Sequence, residues 1–145
     1  MKVEIAVGTV LGASEYVAEA IGGLLENNGH TANYHFTPSI NDIDLAQLLI
    51  IVTSTHGAGD LPDNIQGFAR DLAKQDLSGL KAVIIGLGDS SYDTFCQASA
   101  TMEDILTNAG ANLLLPVYQI DVLHHPIPED AALAWLAKHL DSLSS

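Results

Sequence analysis

Short apolar runs alternate along the chain with longer segments in which apolar residues recur at helical spacing. The apolar runs are rich in β-branched residues and bounded by turn residues, which is typical of strands buried on both faces of a sheet. They predict strands at Val3–Val7, Thr31–Phe36, Ala46–Val52, Leu80–Leu87 and Leu113–Val122. Alternating strand and helix patterns predict a parallel sheet covered by helices on both faces.

Helical patterns follow the first, third, fourth and fifth of these strands. They begin near Tyr16 and Ile65 and cover about Gln97–Asn108 and Glu129–Leu143. The order predicts a three-layer, doubly wound α/β fold around a five-stranded parallel sheet. Residues 1–145 are predicted to form a single domain, since no linker, repeat or low-complexity segment interrupts them. We interpret Tyr16 as a packing residue, and likewise Tyr118 and Trp135.

Three loops rich in glycine and hydroxyl residues follow the first, third and fourth strands. They are Gly8–Glu15 (GTVLGASE), Thr53–Asn64 (TSTHGAGDLPDN) and Gly86–Cys96 (GLGDSSYDTFC). The carboxyl ends of parallel strands meet at one edge of such a sheet, where ligands bind at the topological switch point. We therefore expect the three loops to converge on one crevice.

The first loop has the composition of a phosphate site. Thr9 and Ser14 offer hydroxyls, Gly12 permits close backbone approach, and the following helix presents free N–H groups. No Lys follows the glycines, so the loop is not a Walker A motif, and no cation lies between Val3 and Arg70. This favours a monophosphate over a triphosphate with magnesium. An ordinary glycine-containing turn between strand and helix has the same composition and stays open here.

The other two loops carry side chains suited to a flat ring. Tyr92 lies where no core pattern requires an aromatic residue, beside a stretch of free backbone donors. His56 either lies against a ring or is an ordinary solvated loop histidine. Asp63 is interpreted as a cap of the helix that follows. A heterocycle with polar edges would fit such a crevice.

The three loops resemble those of a known family. GLGDSSYDTFC resembles the second flavin loop of flavodoxins, STHGAGDLPDN resembles the first flavin loop of flavodoxin-like domains, and GTVLGASEY resembles their phosphate loop. The resemblance covers essentially the full length, includes IPEDAALAWL near the end, and identifies the chain as a short-chain member of the FMN-binding flavodoxin-like family. It implies FMN as cofactor and a last strand without the long-chain insertion.

The resemblance also implies which residues contact FMN. The phosphate would lie on the backbone from Val10 to Ser14, His56 and Tyr92 on the two ring faces, and the Gly57–Ala58 peptide near N5. The pyrimidine edge would lie on backbone groups of the fourth-strand loop. The full implied set is Thr9, Val10, Leu11, Gly12, Ala13, Ser14, Ser54, Thr55, His56, Gly57, Ala58, Gly59, Gly88, Asp89, Tyr92, Phe95 and Cys96.

Two positions depart from the family pattern. Leu11 stands where typical flavodoxins have a hydroxyl residue, and His56 replaces a larger aromatic residue. Each is expected to remove on the order of 1 kcal/mol of binding, about one hydrogen bond or one aromatic contact. We therefore expect weaker FMN binding than in ordinary flavodoxins. Carboxylates near the ring are expected to lower its potential, and His56 to make that potential depend on pH.

Charge and composition narrow the partners. The net charge is −13, with five Lys and Arg against eighteen Asp and Glu, so we expect basic protein partners and no nucleic acid. No apolar stretch approaches the ~20 residues that span a bilayer, and we expect no signal peptide, because Met1 and Lys2 lead directly into a strand pattern. One cysteine fits a reducing compartment. We expect a cytoplasmic monomer without membrane partners.

The resemblance implies an electron carrier and not an enzyme, with no catalytic residue and no metal site. It would take electrons from an NAD(P)H-linked reductase, such as a flavodoxin/ferredoxin–NADP reductase, and pass them to a metalloenzyme, with biotin synthase as one implied acceptor. The leading alternative is a regulatory protein of the same fold with weak or no FMN binding, because of Leu11 and His56.

Two other classes fit the sequence poorly. A phosphoacceptor module needs acidic residues after the first and third strands, where Gly8, Thr9, Ser54 and Thr55 stand instead. A flavin enzyme such as a quinone reductase needs a substrate pocket over the ring, where we expect Tyr92.

Overall fold

Strands and helices alternate along the chain in the predicted order. The computed structural model describes residues 1–45 and 47–143. The strands are β1 (Lys2–Gly8), β2 (Thr31–His35), β3 (Leu48–Ser54), β4 (Lys81–Gly88), β5 (Asn112–Leu113) and β6 (Tyr118–Asp121). The helices are α1 (Ala13–Asn27), α2 (Asp63–Ala73), α3 (Gln97–Asn108) and α4 (Pro128–Leu143), with a short 3-10 helix at Ile40–Asp42. Ala46, the predicted start of the third strand, lies outside the described residues.

The strands form one parallel sheet in the order β2-β1-β3-β4, with β5 and β6 both paired to β4. Helices α1 and α4 pack together, as do α2 and α3, so that two helical layers enclose the sheet. This confirms the doubly wound fold. The chain reverses its direction of winding between β1 and β3, which places a topological switch point beside their carboxyl ends.

Two apolar clusters form the core, one on each face of the sheet. Alternate residues of β3 show the division: Ile50 belongs to the cluster beneath α1 and α4, and Ile51 to the cluster beneath α2 and α3. Both are fully buried. Because each face needs its own apolar residues, the central strands read as continuous apolar runs and not as alternating ones.

The predicted strand Leu113–Val122 is two short strands and not one. Ala82 pairs with Leu113, whereas Ile85 pairs with Tyr118, so five steps along one strand match three along the other. The extra length forms a bulge that contains Pro116, which has no N–H to donate to a sheet. The bulge inserts no further element, in keeping with the short-chain resemblance.

Two packing predictions had opposite outcomes. Trp135 stacks on Tyr118 with ring centroids 4.7 Å apart and packs against the core, as expected. The packing prediction for Tyr16 is wrong. Its side chain is 63% exposed, because α1 begins at Ala13 and this position faces solvent. Among the described residues, no helix combines the length and apolarity that a membrane span requires.

Candidate functional site

The three predicted loops meet at the carboxyl edge of the sheet, around an open cavity of about 360 Å³. This volume lies within the range of about 300–1,000 Å³ that small-molecule sites occupy. A second cavity of about 170 Å³ is lined by Thr9, Val10, His56 and Asp63, and thus shares two residues with the first. The convergence expected from the sheet topology is therefore present.

Most of the implied contact residues line the larger cavity. These are Val10, Leu11, Ala13, Ser54, Thr55, His56, Gly57, Gly88, Asp89, Tyr92, Phe95 and Cys96. Thr9 lines only the smaller cavity, and Gly12, Ser14, Ala58 and Gly59 line neither. Gly12 precedes α1 and Ser14 lies in its first turn, next to the predicted phosphate loop, and Gly59 lies in the turn after β3.

The loop between β1 and α1 is held at its base. The Thr9 hydroxyl accepts a hydrogen bond from the Gly12 N–H at 2.9 Å. Gly12 precedes the helix with φ of 94°, a left-handed conformation that costs a glycine little. The tip of the loop extends into solvent, with the Val10 side chain 46% exposed and the Leu11 side chain 95% exposed. Leu11 can therefore offer a ligand its backbone N–H and no side-chain hydrogen bond.

Ser14 supplies the most specific feature of this loop. Its side chain is fully buried, yet its hydroxyl has no hydrogen-bond partner within residues 1–45 and 47–143. The first N–H groups of any α-helix also lack partners inside the helix. A buried, unpaired hydroxyl beside a helix N-terminus fits an anionic group, because the helix dipole and the N–H groups favour negative charge there.

The loop after β3 closes as a tight turn. The backbone of His56 and Asp60 exchanges two hydrogen bonds, at 2.7 and 2.8 Å. The His56 side chain is exposed and lines both cavities. The hydroxyl of Thr55 accepts from the Ala98 N–H at 3.3 Å, so this residue links the turn to the start of α3.

Asp63 does not cap α2, contrary to its interpretation from sequence. Pro62 occupies the cap position and Asp63 is the first helical residue, with its carboxylate accepting from the Gln66 side-chain amide at 3.4 Å. The neighbouring Asn64 forms the long-range contacts. Its side-chain amide bonds to Thr9, Val7 and Phe36.

The loop after β4 forms the opposite wall of the cavity. The Asp89 carboxylate accepts from the N–H and hydroxyl of Ser91 at 2.9 and 2.6 Å, which fixes a turn before Tyr92. The Tyr92 side chain is 64% exposed. A Cβ on Gly88 would lie 2.8 Å from the backbone nitrogen of Cys96, so this loop returns closely against the end of the strand.

Cys96 is a buried thiol at the foot of this loop. Burial, with a smaller contribution from the Asp121 carboxylate, raises the pKa of the Cys96 thiol to about 12. It is therefore a neutral side chain at physiological pH. Its φ of 52° is left-handed, a conformation uncommon outside glycine. These observations favour a packing role for the Cys96 side chain.

Sequence reasoning missed the residues that β6 contributes. Asp121, at the end of that strand, accepts from the Ser90 N–H at 3.2 Å and the Leu123 N–H at 3.0 Å. A hydrogen bond with the Ser90 side chain is the first cause that lowers the pKa of the Asp121 carboxyl below its usual value. The bonds from the Leu123 and Ser90 N–H groups and the nearby His124, at 3.6 Å, contribute less. Three cavity residues were also missed: Leu87 in β4, Thr94 in the loop after β4, and Val122 directly after β6. Asp121 and Val122 could have been predicted, because they stand at the carboxyl end of the last strand, where ligands bind in such sheets.

The comparison with known families decides the assignment. The flavodoxin family model matches residues 5–135. The chain belongs to the flavodoxin family. Flavodoxins are electron carriers rather than enzymes, and their cofactor is FMN, as the loop resemblance implied.

Relatives of this flavodoxin include proteins of similar length. Protein MioC of Escherichia coli (strain K12) is 40% identical over 138 residues, which are 94% of each chain. The MioC homolog of Haemophilus influenzae is 37% identical over 145 residues and 99% of each chain. A mutant flavodoxin from Pseudomonas aeruginosa superposes with a TM-score of 0.93 at 34% identity over the whole of both chains. These similarities confirm a flavodoxin of the MioC type.

Proposed function

We propose that this flavodoxin binds FMN in the described crevice and works as a low-potential, one-electron carrier. The observation that supports this most directly is the buried hydroxyl of Ser14 near the N-terminus of α1, which has no hydrogen-bond partner among the residues that the structure describes. Such a group is costly unless a ligand completes its hydrogen bond. The phosphate of FMN would do so, together with the free N–H groups at the start of the helix.

The remaining lining fits an aromatic ring. Gly88 and Asp89 line the cavity and would offer backbone groups to the polar edge of a ring, while Leu87, Phe95 and Val122 would offer apolar surface to its faces. Tyr92 and His56 stand on opposite loops and are assigned to the two ring faces. When bound, FMN would supply the redox chemistry itself, since flavins can exchange electrons singly as well as in pairs.

The protein's own contribution is electrostatic. Asp89 lines the larger cavity and Asp63 the smaller one, and neither forms a salt bridge within the described part of the chain. Negative charge beside the ring disfavours the addition of an electron, which lowers the potential. The effect of His56 on the pH dependence of that potential stays a prediction.

We assign the redox partners by charge. With a net charge of −13, the carrier would be steered to basic surfaces of an NAD(P)H-linked flavodoxin/ferredoxin–NADP reductase and of an acceptor metalloenzyme. Biotin synthase is the proposed acceptor, by resemblance to MioC. We propose a cytoplasmic location, for which the single cysteine of the chain is the supporting observation. We propose that the carrier acts as a monomer.

An absorption titration with FMN, followed by stepwise reduction, tests the proposal. We expect binding at micromolar FMN or below and reduction in two separate one-electron steps. Absence of binding at that concentration would favour the alternative, a regulatory protein of this fold, for which the exposed Leu11 at the loop tip is the supporting observation. The partner assignment predicts that reductase-driven reduction slows as salt rises, because salt screens attraction between exposed charges. A rate independent of salt would contradict it.

A further inference from the structure

We propose that Asn64 is a positioning residue for the phosphate loop, and that it determines how strongly the protein prefers a phosphorylated flavin. The inference deepens the proposed function and rests on it. Asn64 lies in the first turn of α2 and lines neither cavity, although its bonding partner Thr9 and its neighbour Asp63 line the smaller one. It would therefore act through the loop it holds and not by touching the ligand.

The Asn64 amide uses both of its polar atoms on the exits of β1 and β2. Its oxygen accepts from the Thr9 N–H at 2.9 Å. Its nitrogen donates to the carbonyl oxygens of Val7 at 2.6 Å and Phe36 at 3.0 Å. One neighbouring group is a donor and two are acceptors. The amide oxygen must therefore face the Thr9 N–H and the amide nitrogen the two carbonyls, which fixes the orientation of the side-chain amide.

These contacts continue the sheet beyond the end of β2. Pairing between β1 and β2 ends where Ala6 faces His35. With that register, Thr37 would be the next residue of β2 to donate to the Val7 carbonyl and accept from the Thr9 N–H. The chain bends away there, and Thr37 is exposed. The Asn64 side chain supplies the missing N–H and C=O in its place.

The arrangement transmits a constraint into the phosphate loop. Asn64 fixes the N–H of Thr9, and the hydroxyl of Thr9 in turn accepts the N–H of Gly12. Gly12 sets the direction in which α1 begins and thus where its free N–H groups point. Since the loop tip is exposed, the base held by Asn64 determines its shape. Loss of the amide should affect phosphate contacts and leave ring contacts unchanged.

The test compares FMN with riboflavin, which differ by the phosphate. In Asn64→Ala and in Asn64→Leu, which preserves the volume, we expect FMN affinity to fall about tenfold, the effect of one lost hydrogen-bond system, with riboflavin affinity unchanged. Gln66→Ala is the matched control, because its side-chain amide donates to the Leu61 carbonyl at 2.9 Å in the same helical turn but does not contact the phosphate loop. It should leave both affinities unchanged.

A second measurement needs no flavin. Amide hydrogen exchange in the free protein should show the Thr9 N–H protected in wild type and in Gln66→Ala, and unprotected in Asn64→Ala and Asn64→Leu. An equal loss of FMN and riboflavin affinity in the Asn64 variants, or unchanged exchange at Thr9, would overturn the inference while wild-type FMN binding upholds the proposed function. A wild-type protein that binds neither flavin would overturn both.

Discussion

The two ends of the crevice are built in different ways. At the predicted phosphate end, the Ser14 hydroxyl is buried and lacks a hydrogen-bond partner within the described part of the chain, while Thr9 is bonded on both its N–H and its hydroxyl. At the ring end, the two side chains assigned to the ring faces, His56 and Tyr92, are exposed, and each lies in or beside a backbone turn. Tyr92 is 64% exposed beside the turn that Asp89 fixes.

This difference separates two properties of the carrier. A buried polar group that lacks a partner gains most from binding, so the phosphate end should determine affinity and the preference for FMN over riboflavin. Exposed side chains are close to water and to partner proteins, so the ring end should determine potential and electron exchange. The ratio of FMN to riboflavin affinity distinguishes the two ends by experiment.

Gly88→Ala should have the largest effect, and it should affect both flavins equally. The new Cβ would lie 2.8 Å from the Cys96 nitrogen and 2.9 Å from its sulfur, and a backbone atom cannot move away cheaply. We expect the free energy of unfolding to fall by about 1–3 kcal/mol. Affinity for FMN and for riboflavin should fall by the same factor, about tenfold or more, since the ring-end wall is displaced. Denaturant unfolding and flavin fluorescence titrations measure both quantities.

Gly23→Ala is the control for that change. Gly23 lies within α1, and a Cβ there would meet no atom within 4 Å. The substitution should stabilise the protein by roughly 1 kcal/mol, through helix propensity, and leave flavin binding unchanged. A loss of FMN affinity alone in Gly88→Ala would contradict the division between the two ends.

Ser14→Ala should have opposite effects on stability and on binding. The free protein should become more stable by about 1 kcal/mol, because a buried hydroxyl without a partner is removed. FMN affinity should fall about tenfold while riboflavin affinity stays constant. Calorimetry gives both values.

Ser99→Ala provides the comparison for Ser14, since both serines are fully buried. The Ser99 hydroxyl donates to the Cys96 carbonyl at 2.6 Å, so its removal should destabilise the free protein. If Ser14→Ala also destabilises the free protein, the hydroxyl has a structural partner and the phosphate end is not poised for a ligand.

The sequence predicts what local pattern encodes. Strands buried on both faces leave continuous apolar runs, and loops that must approach a ligand leave glycine and hydroxyl residues, so the sheet and the three loops were predictable. The apolar run Leu113–Val122 did not reveal that the fifth predicted strand is two strands. Pro116 could have indicated it, because proline has no N–H to donate to a sheet. Helical spacing places Tyr16 on a helix but does not determine whether its face of the helix packs on the sheet or lies in solvent.

Asn64 was unpredictable for a different reason. Its partners Thr9, Val7 and Phe36 lie 55, 57 and 28 positions away in sequence. Nothing near Asn64 distinguishes it from an ordinary residue at a helix start. The contact exists only because the topology brings the start of α2 beside the exits of β1 and β2.

The smallest effect that we predict is a loss of stability in acid through protonation of Asp121, which is bonded to the ring-end loop. Its pKa is lowered in the folded protein, by the bonds from Ser90 and Leu123, from the ordinary value of 3.8. The carboxylate therefore contributes stability that is fully present above that value and is lost as pH falls through the lower, folded-state pKa. We expect Asp121→Asn to remove this part of the acid dependence of unfolding between about pH 5 and pH 2.

The control is Asp76, whose pKa is also lowered, by hydrogen bonds from Ser78, but which lies between α2 and β4. Asp76→Asn should change the acid dependence of stability and leave flavin binding unchanged at every pH where the protein is folded. Asp121→Asn should weaken FMN and riboflavin equally, by less than about fivefold at neutral pH, since an amide oxygen accepts hydrogen bonds less strongly than a carboxylate. A selective loss of FMN in Asp121→Asn would show that β6 acts on the phosphate end, so that the two ends of the crevice are coupled through the strand exits.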